Sequence, residues 1–191
     1  MEGDSRTRIL NMALALFDRL GYVGTSMDAI RKAAGFRTKS SLYAHFPSKE
    51  SLTATLLEKV LAEEAAALAP YLKPESDATL NDVLDLAEQL TLWGLMHQAA
   101  YRFCFLQWHG DIPRLPIADS DMDAAPRWAT HVISRLQREG GPVRPMDADF
   151  LVAACNGLIN QVIVGAHDME PDGMARLARQ TRELCQAIVS A

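Results

Sequence analysis

The chain has 191 residues, 49% of them apolar and 23% charged, with a formal net charge of −5. That balance supports a sizeable core and excludes general disorder. The polar start, Met1 to Arg8, is not a signal peptide, and the longest apolar stretch, 150–166, is broken by Asn156, Asn160 and Gln161 and is shorter than the roughly 20 residues a bilayer requires. The expectation is a cytoplasmic chain with no membrane association. Cys104, Cys155 and Cys185 are far apart and odd in number, without zinc or pairing spacing, and are read as buried, reduced thiols. Charge is unevenly placed. Residues 1–50 hold eight Lys/Arg against five acids, a net +3, and residues 51–191 hold eleven against nineteen, a net −8. A basic head on an acidic body suggests two jobs.

In chain order, nearly every segment has helical period. The first helix is expected from Ser5 to Leu20, with Ile9, Ala13, Leu16, Phe17 and Leu20 on one stripe and Gly21 as its stop. Thr25-Ser26-Met27-Asp28 reads as a capping-box start for a short helix to Ala34, ended by Gly35. Thr38 is placed to cap a third short helix reaching Phe46, and Pro47 stops it. Ser48 caps a longer helix from Lys49 towards Ala69, with Pro70 and Pro74 at its exit. Thr79-Leu80-Asn81-Asp82 is a second capping box, opening a helix through Trp93 to His97. A bend then leads to the aromatic stretch Tyr101 to Trp108. Residues 110–121 read as a loop. Further helices are expected over Ala124–Glu139, from the Asp147 cap to Ala166, and from Pro171 to Ser190. The fold class is all-α: an N-terminal three-helix helix-turn-helix domain, residues 1–50, followed by a larger helical bundle, residues 51–191.

Two short helices joined by a Gly-containing turn and packed on an amphipathic helix describe a helix-turn-helix. The tip of the second helix, Arg37-Thr38-Lys39-Ser40-Ser41, is small or basic and able to hydrogen-bond bases or phosphates, while Leu42 and Phe46 supply an apolar underside. The N–H groups of the helices opening at Thr25 and Ser48 are natural phosphate sites. The segments Thr25 to Ile30, Lys32 to Gly35 and Leu42 to Leu52 (Leu42-Tyr43-Ala44-His45-Phe46-Pro47-Ser48-Lys49) resemble the DNA-binding signature of the TetR family of repressors over residues 5–55. The resemblance implies a homodimer, an inverted-repeat operator of double-stranded DNA, and a C-terminal domain whose small-molecule effector releases the DNA. It implies phosphate contacts from Tyr43, Lys49 and the Thr25 cap, and groove reading by residues 38–41 and His45. Six residues separate Gly35 from Leu42, one more than the commonest family spacing, which leaves open which of Arg37, Lys39, Ser40 and Ser41 reads bases.

In the body, the apolar positions of the helix after Thr79 and the aromatic stretch beyond it suggest a largely apolar effector site with polar handles, for which Trp93, Met96, His97, Phe103 and Gln107 are the candidates. The helix from Asp147 to Ala166 is apolar nearly all round and so needs burial on every side. Ala154, Gly157, Leu158 and Gln161 on it, with Leu177, Leu184 and Ile188 on the last helix, are the expected subunit interface. No nucleophile–base pair, phosphate loop or metal-ligand cluster points to catalysis, a cofactor or a metal. The competing readings are a helical small-molecule binder without DNA function and a regulator controlled by a protein partner.

Overall fold

A computed structural model describes residues 2–107, 124–167 and 169–191. The expected loop at 110–121, with Trp108 and His109, lies outside them. The described helices are α1 (Glu2–Gly24), α2 (Met27–Ala33), α3 (Lys39–Tyr43), α4 (Lys49–Leu68), α5 (Leu80–Met96), α6 (Gln98–Tyr101), α7 (Ala124–Arg138), α8 (Ala148–Gly165) and α9 (Pro171–Val189). A single 3-10 turn, Ala69–Tyr71, follows α4 where Pro70 removes a backbone donor, and a π-helical stretch, Arg102–Gln107, follows α6. Among the described residues the β-structure is one antiparallel bridge, Val143 with Ser190.

The chain divides into two compact units. The first consists, in its described part, of residues 2–62 and 99–107; the second of 63–98, 124–167 and 169–191. The first unit therefore takes in part of α4 and a segment that arrives from beyond α5. In it, Ile9, Ala13, Leu16 and Phe17 of α1 are buried, as are Ile30, Leu42, Phe46 and Leu52. The stripe expected on α1 is the core face, except that Leu20 is exposed. α1 is broken at Gly21, whose φ of 71° is left-handed and uncomfortable for any residue with a Cβ. The helical hydrogen bonding then resumes to Gly24 instead of stopping.

The second unit packs α5 against α7, α8 and α9 around Leu84, Leu95, Ile133, Ile159 and Ile163. The capping box at its start is complete: Thr79 Oγ1 accepts from the Asp82 N–H at 3.3 Å, and the Asp82 carboxylate accepts from the Thr79 N–H at 2.8 Å. Asp82 also pairs with Lys73 at 2.6 Å, and Arg182 of α9 reaches Asp85 of α5 at 3.0 Å. Asp147 caps α8 as expected, accepting from the Phe150 N–H. α8 is long and apolar enough by length and composition to cross a membrane, yet only 28% of it is buried within the chain.

Candidate nucleic-acid interface

The turn between α2 and α3 is built from local hydrogen bonds. Ser26, not Thr25, is the cap of α2: its backbone is extended and its Oγ accepts from the Ala29 N–H at 3.1 Å. Asp28 does not close a capping box; it pairs with Arg31 at 2.8 Å and Lys32 at 3.0 Å, and those hydrogen bonds hold its carboxyl down at about 2. At the other end the Gly35 N–H donates to Lys32 O and the Phe36 N–H to Arg31 O, the paired bonds of a Schellman motif. The motif requires the left-handed backbone Gly35 adopts, φ 76°. Arg31, pinned by Asp28, donates onward to the carbonyls of Phe36 and Arg37. The longer turn is thus braced by one guanidinium spanning both its flanks.

Thr38 then caps α3, accepting from the Ser41 N–H at 3.3 Å, and its hydroxyl lies 2.6 Å from that of Ser41 and 3.1 Å from that of Ser40. α3 has only five residues, ending three short of the expected Phe46, but Phe46 is still fully buried with Leu42. Arg37, Thr38, Lys39 and Ser40 are exposed, Ser41 and His45 half-buried, and Tyr43 is 45% exposed. One side of the element is therefore polar and open, and the other is locked to the core. His45 sets its ring edge-on against Phe36 at 5.8 Å.

Two expected phosphate contacts are turned inward. Thr25 is 1% exposed, and its hydroxyl donates to the carbonyls of Leu16 and Gly21, fastening the break in α1. Lys49 donates to the Tyr22 carbonyl and holds its ammonium 3.9 Å over the Tyr22 ring; burial lowers its pKa. Ser48 does cap α4, accepting from the Ser51 N–H at 3.1 Å. Two cations that the sequence reading did not single out also belong to this region. Arg6 lies 4.3 Å from the Phe46 ring and donates to His45 O at 3.0 Å, and the Arg8 guanidinium sits 5.2 Å from the Phe36 ring. The excess of cations in the head was visible; the aromatic partners of these two, 40 and 28 positions away, were not.

The effector candidates are divided between the two units. Phe103 is fully buried in the first unit, stacked on Phe17 at 5.7 Å, and its neighbour Arg102 grips both carboxylate oxygens of Asp18 at 2.8 and 2.9 Å. Trp93 is buried in the second unit with its ring 5.3 Å from that of His97, whereas Met96 and His97 are exposed. The side chain of Gln107 lies outside the described residues. The unit boundary, between residues 98 and 99, passes through the aromatic run. The second unit has instead a small apolar cavity of about 40 Å³ among α5, α7, α8 and α9, lined by residues including Leu86, Leu90, Ile133, Cys155 and Cys185.

Of the expected interface, Gly157, Gln161 and Leu184 are exposed, and Ala154, Leu158, Leu177 and Ile188 half-buried. Phe150 and Val164, not anticipated, are also exposed. Phe150, Ala154, Gly157, Gln161 and Val164 recur at alternating steps of four and three, which puts them along one face of α8.

Residues 9–56 match the family model for bacterial regulatory proteins of the tetR family. Over 51 residues the chain is 51% identical to the HTH-type transcriptional regulator LmrA of Bacillus subtilis, an alignment covering 26% of this chain and 27% of that one. It thus spans about a quarter of that relative's length. A tetR-family regulatory protein from Rhodococcus RHA1 has the same fold at a TM-score of 0.81, with 19% identity over 98% of this chain and 97% of that one. AibR, solved with isovaleryl coenzyme A and operator DNA, superposes at 0.77, with 19% identity over 94% of this chain and 97% of that one. Residues 9–56 are thus similar to the N-terminal domain of the TetR family of bacterial regulatory proteins, and the chain as a whole has the fold of these solved structures.

Proposed function

We propose that the chain is a DNA-binding transcriptional repressor that grips an inverted-repeat operator as a homodimer and is released by a small, largely apolar effector. One observation carries the DNA reading: α3 offers Arg37, Thr38, Lys39, Ser40 and Tyr43 to solvent while Leu42 and Phe46 anchor it from below. A slim polar helix tip on a rigid apolar base is what major-groove entry needs. Two such heads are required to read half-sites about one helical turn, roughly 34 Å, apart. The uncovered faces of α8 and α9 are the surface on which a second copy would bring them together. In this reading residues 1–50 carry DNA recognition, residues 51–191 carry effector binding and dimerisation, and the protein works in the cytoplasm.

The effector reading is supported by the apolar cavity of the second unit and by AibR, which holds an acyl coenzyme A on a similar fold. At about 40 Å³ the cavity is far below the roughly 300 Å³ of a drug-sized site, so an effector must part the surrounding helices as it enters. A ligand that pays for such a movement discriminates between two states, which is the requirement for shifting their balance.

The test is binding of the purified chain to duplex DNA from upstream of its own coding sequence, followed by anisotropy at rising salt. The expected result is tight binding that weakens linearly in log–log form with salt. Absence of any salt-sensitive duplex affinity overturns the reading.

A further inference from the structure

Thirty positions apart in sequence, Cys155 of α8 and Cys185 of α9 meet in the fold. The Cys155 thiol donates to the Cys185 carbonyl oxygen at 4.0 Å, and the two side chains are close enough that each shifts the other's pKa. Both line the apolar cavity of the second unit, and both are buried from the outside. A cavity of about 40 Å³ has room for a few water-sized molecules, each needing roughly 10–15 Å³. We propose that Cys155 and Cys185 form an oxidisable dithiol site that takes a small hydroperoxide in this cavity and closes to an intrachain disulfide between α8 and α9.

The two thiols are not equivalent. The neighbouring Cys185 side chain lowers the Cys155 pKa, whereas Cys155 beside it, together with burial, raises that of Cys185. Cys155 is therefore the first nucleophile, because the thiolate is the reactive form. Its sulfur attacks one peroxide oxygen, the O–O bond breaks, and the departing oxygen leaves as water or alcohol; Cys155 becomes a sulfenic acid. The Cys185 sulfur then attacks the Cys155 sulfur, gives up its proton, and expels the hydroxyl as water. In sum, two thiols and one hydroperoxide yield one disulfide, one water and one further water or alcohol. The bond would tie together the two helices whose outer faces are proposed to carry the subunit contact. The chemistry itself does not depend on the DNA-binding reading.

The test uses the reduced full-length protein with hydrogen peroxide at neutral pH, trapping with N-ethylmaleimide, and peptide mapping without reductant. The expected product is a Cys155–Cys185 linked peptide, with a loss of two hydrogens from the intact mass, reversal by dithiothreitol, and Cys104 still alkylated. In Cys185→Ala the reaction should stop at Cys155 sulfenic acid, captured by dimedone. Three results overturn the proposal: both thiols still alkylated when the peroxide-treated protein is unfolded in N-ethylmaleimide, a link that forms only after unfolding, and a link that runs to Cys104 or between chains. Peptide mapping of the unmutated chain decides the matter if the variant does not fold.

Discussion

The first unit holds small helices in place with long-range polar pins, and the second holds long helices by burial and leaves apolar surface over. Around α3, Arg31 spans the turn, Arg6 ties the His45 carbonyl to α1, and Lys49 ties the start of α4 to Tyr22. A five-residue helix has almost no stability of its own, since nucleation costs more than so few hydrogen bonds return. It needs such pins, and with its apolar side used for anchoring, its polar side is free for a partner. In the second unit, α8 and α9 are long enough to persist by packing, but Phe150, Val164 and Leu184 remain in water at 60%, 36% and 53% exposure. In the proposed function the difference becomes one of partners: the first unit offers polar atoms held at fixed positions, the second apolar area awaiting cover.

Phe103 gives the comparison its sharpest break: it follows α5 in the chain but belongs to the first unit. Phe103→Ala removes a fully buried ring and should cost about 3–5 kcal/mol. Hydrogen exchange is the discriminating measurement. Protection should fall in α1 to α3 and persist in α7 to α9; loss confined to the second unit would show that the Phe17 stack is not what holds Phe103. A second break concerns the uncovered stripe. In the proposed homodimer, Leu184→Asp would put like charges on the two copies of the contact, at a cost of several kcal/mol. Light scattering should show a monomer with unchanged helix content, and a persisting dimer would place the interface elsewhere.

The same contrast decides what could be read from the amino-acid order. Thr38, Ser48, Thr79 and Asp147 were legible as caps because a cap is a contact between residues two or three apart. The apolar positions of α1 and the Leu42–Phe46 anchor were legible from spacing. Thr25 and Ser26 were not separable, because either hydroxyl could cap and only burial of Thr25 decides between them. Lys49 could not be told from an outward cation, since the carbonyl and ring that capture it belong to Tyr22, 27 positions earlier. The place of Phe103 was not legible for the same reason: its partner Phe17 lies on α1, and nothing local marks where the chain passes from one unit to the other.

Within the first unit, two lysines sharpen the comparison further. Lys39→Ala should weaken DNA binding and lower the salt slope by about 1 while leaving the unfolding midpoint unchanged, as expected of one lost phosphate contact. Lys49→Ala should do the opposite in the free protein, losing about 1–3 kcal/mol in urea unfolding through the vacated Tyr22 carbonyl and ring. Equal stability of the two variants would mean that Lys49 is a solvated charge and the inward geometry is not what secures the start of α4.

The smallest effect tests a polar pin in the unit that otherwise depends on burial. Asp82 is held down at about 2, from an ordinary 3.8, first by Lys73 and then by the Thr79 N–H. A carboxyl with a folded pKa below its unfolded value stabilises the fold above the unfolded pKa and loses that contribution as pH falls through the folded one. Asp82→Asn keeps an acceptor for the Thr79 N–H but removes the charge, and should lower stability by about 1 kcal/mol, the usual size of a cap contribution. Melting curves of the two proteins should be separated at neutral pH and converge between about pH 4 and pH 2, where the wild-type carboxyl takes up its proton. A gap that stays constant down to that range would show that the charge contributes nothing and that only the shape of the cap matters.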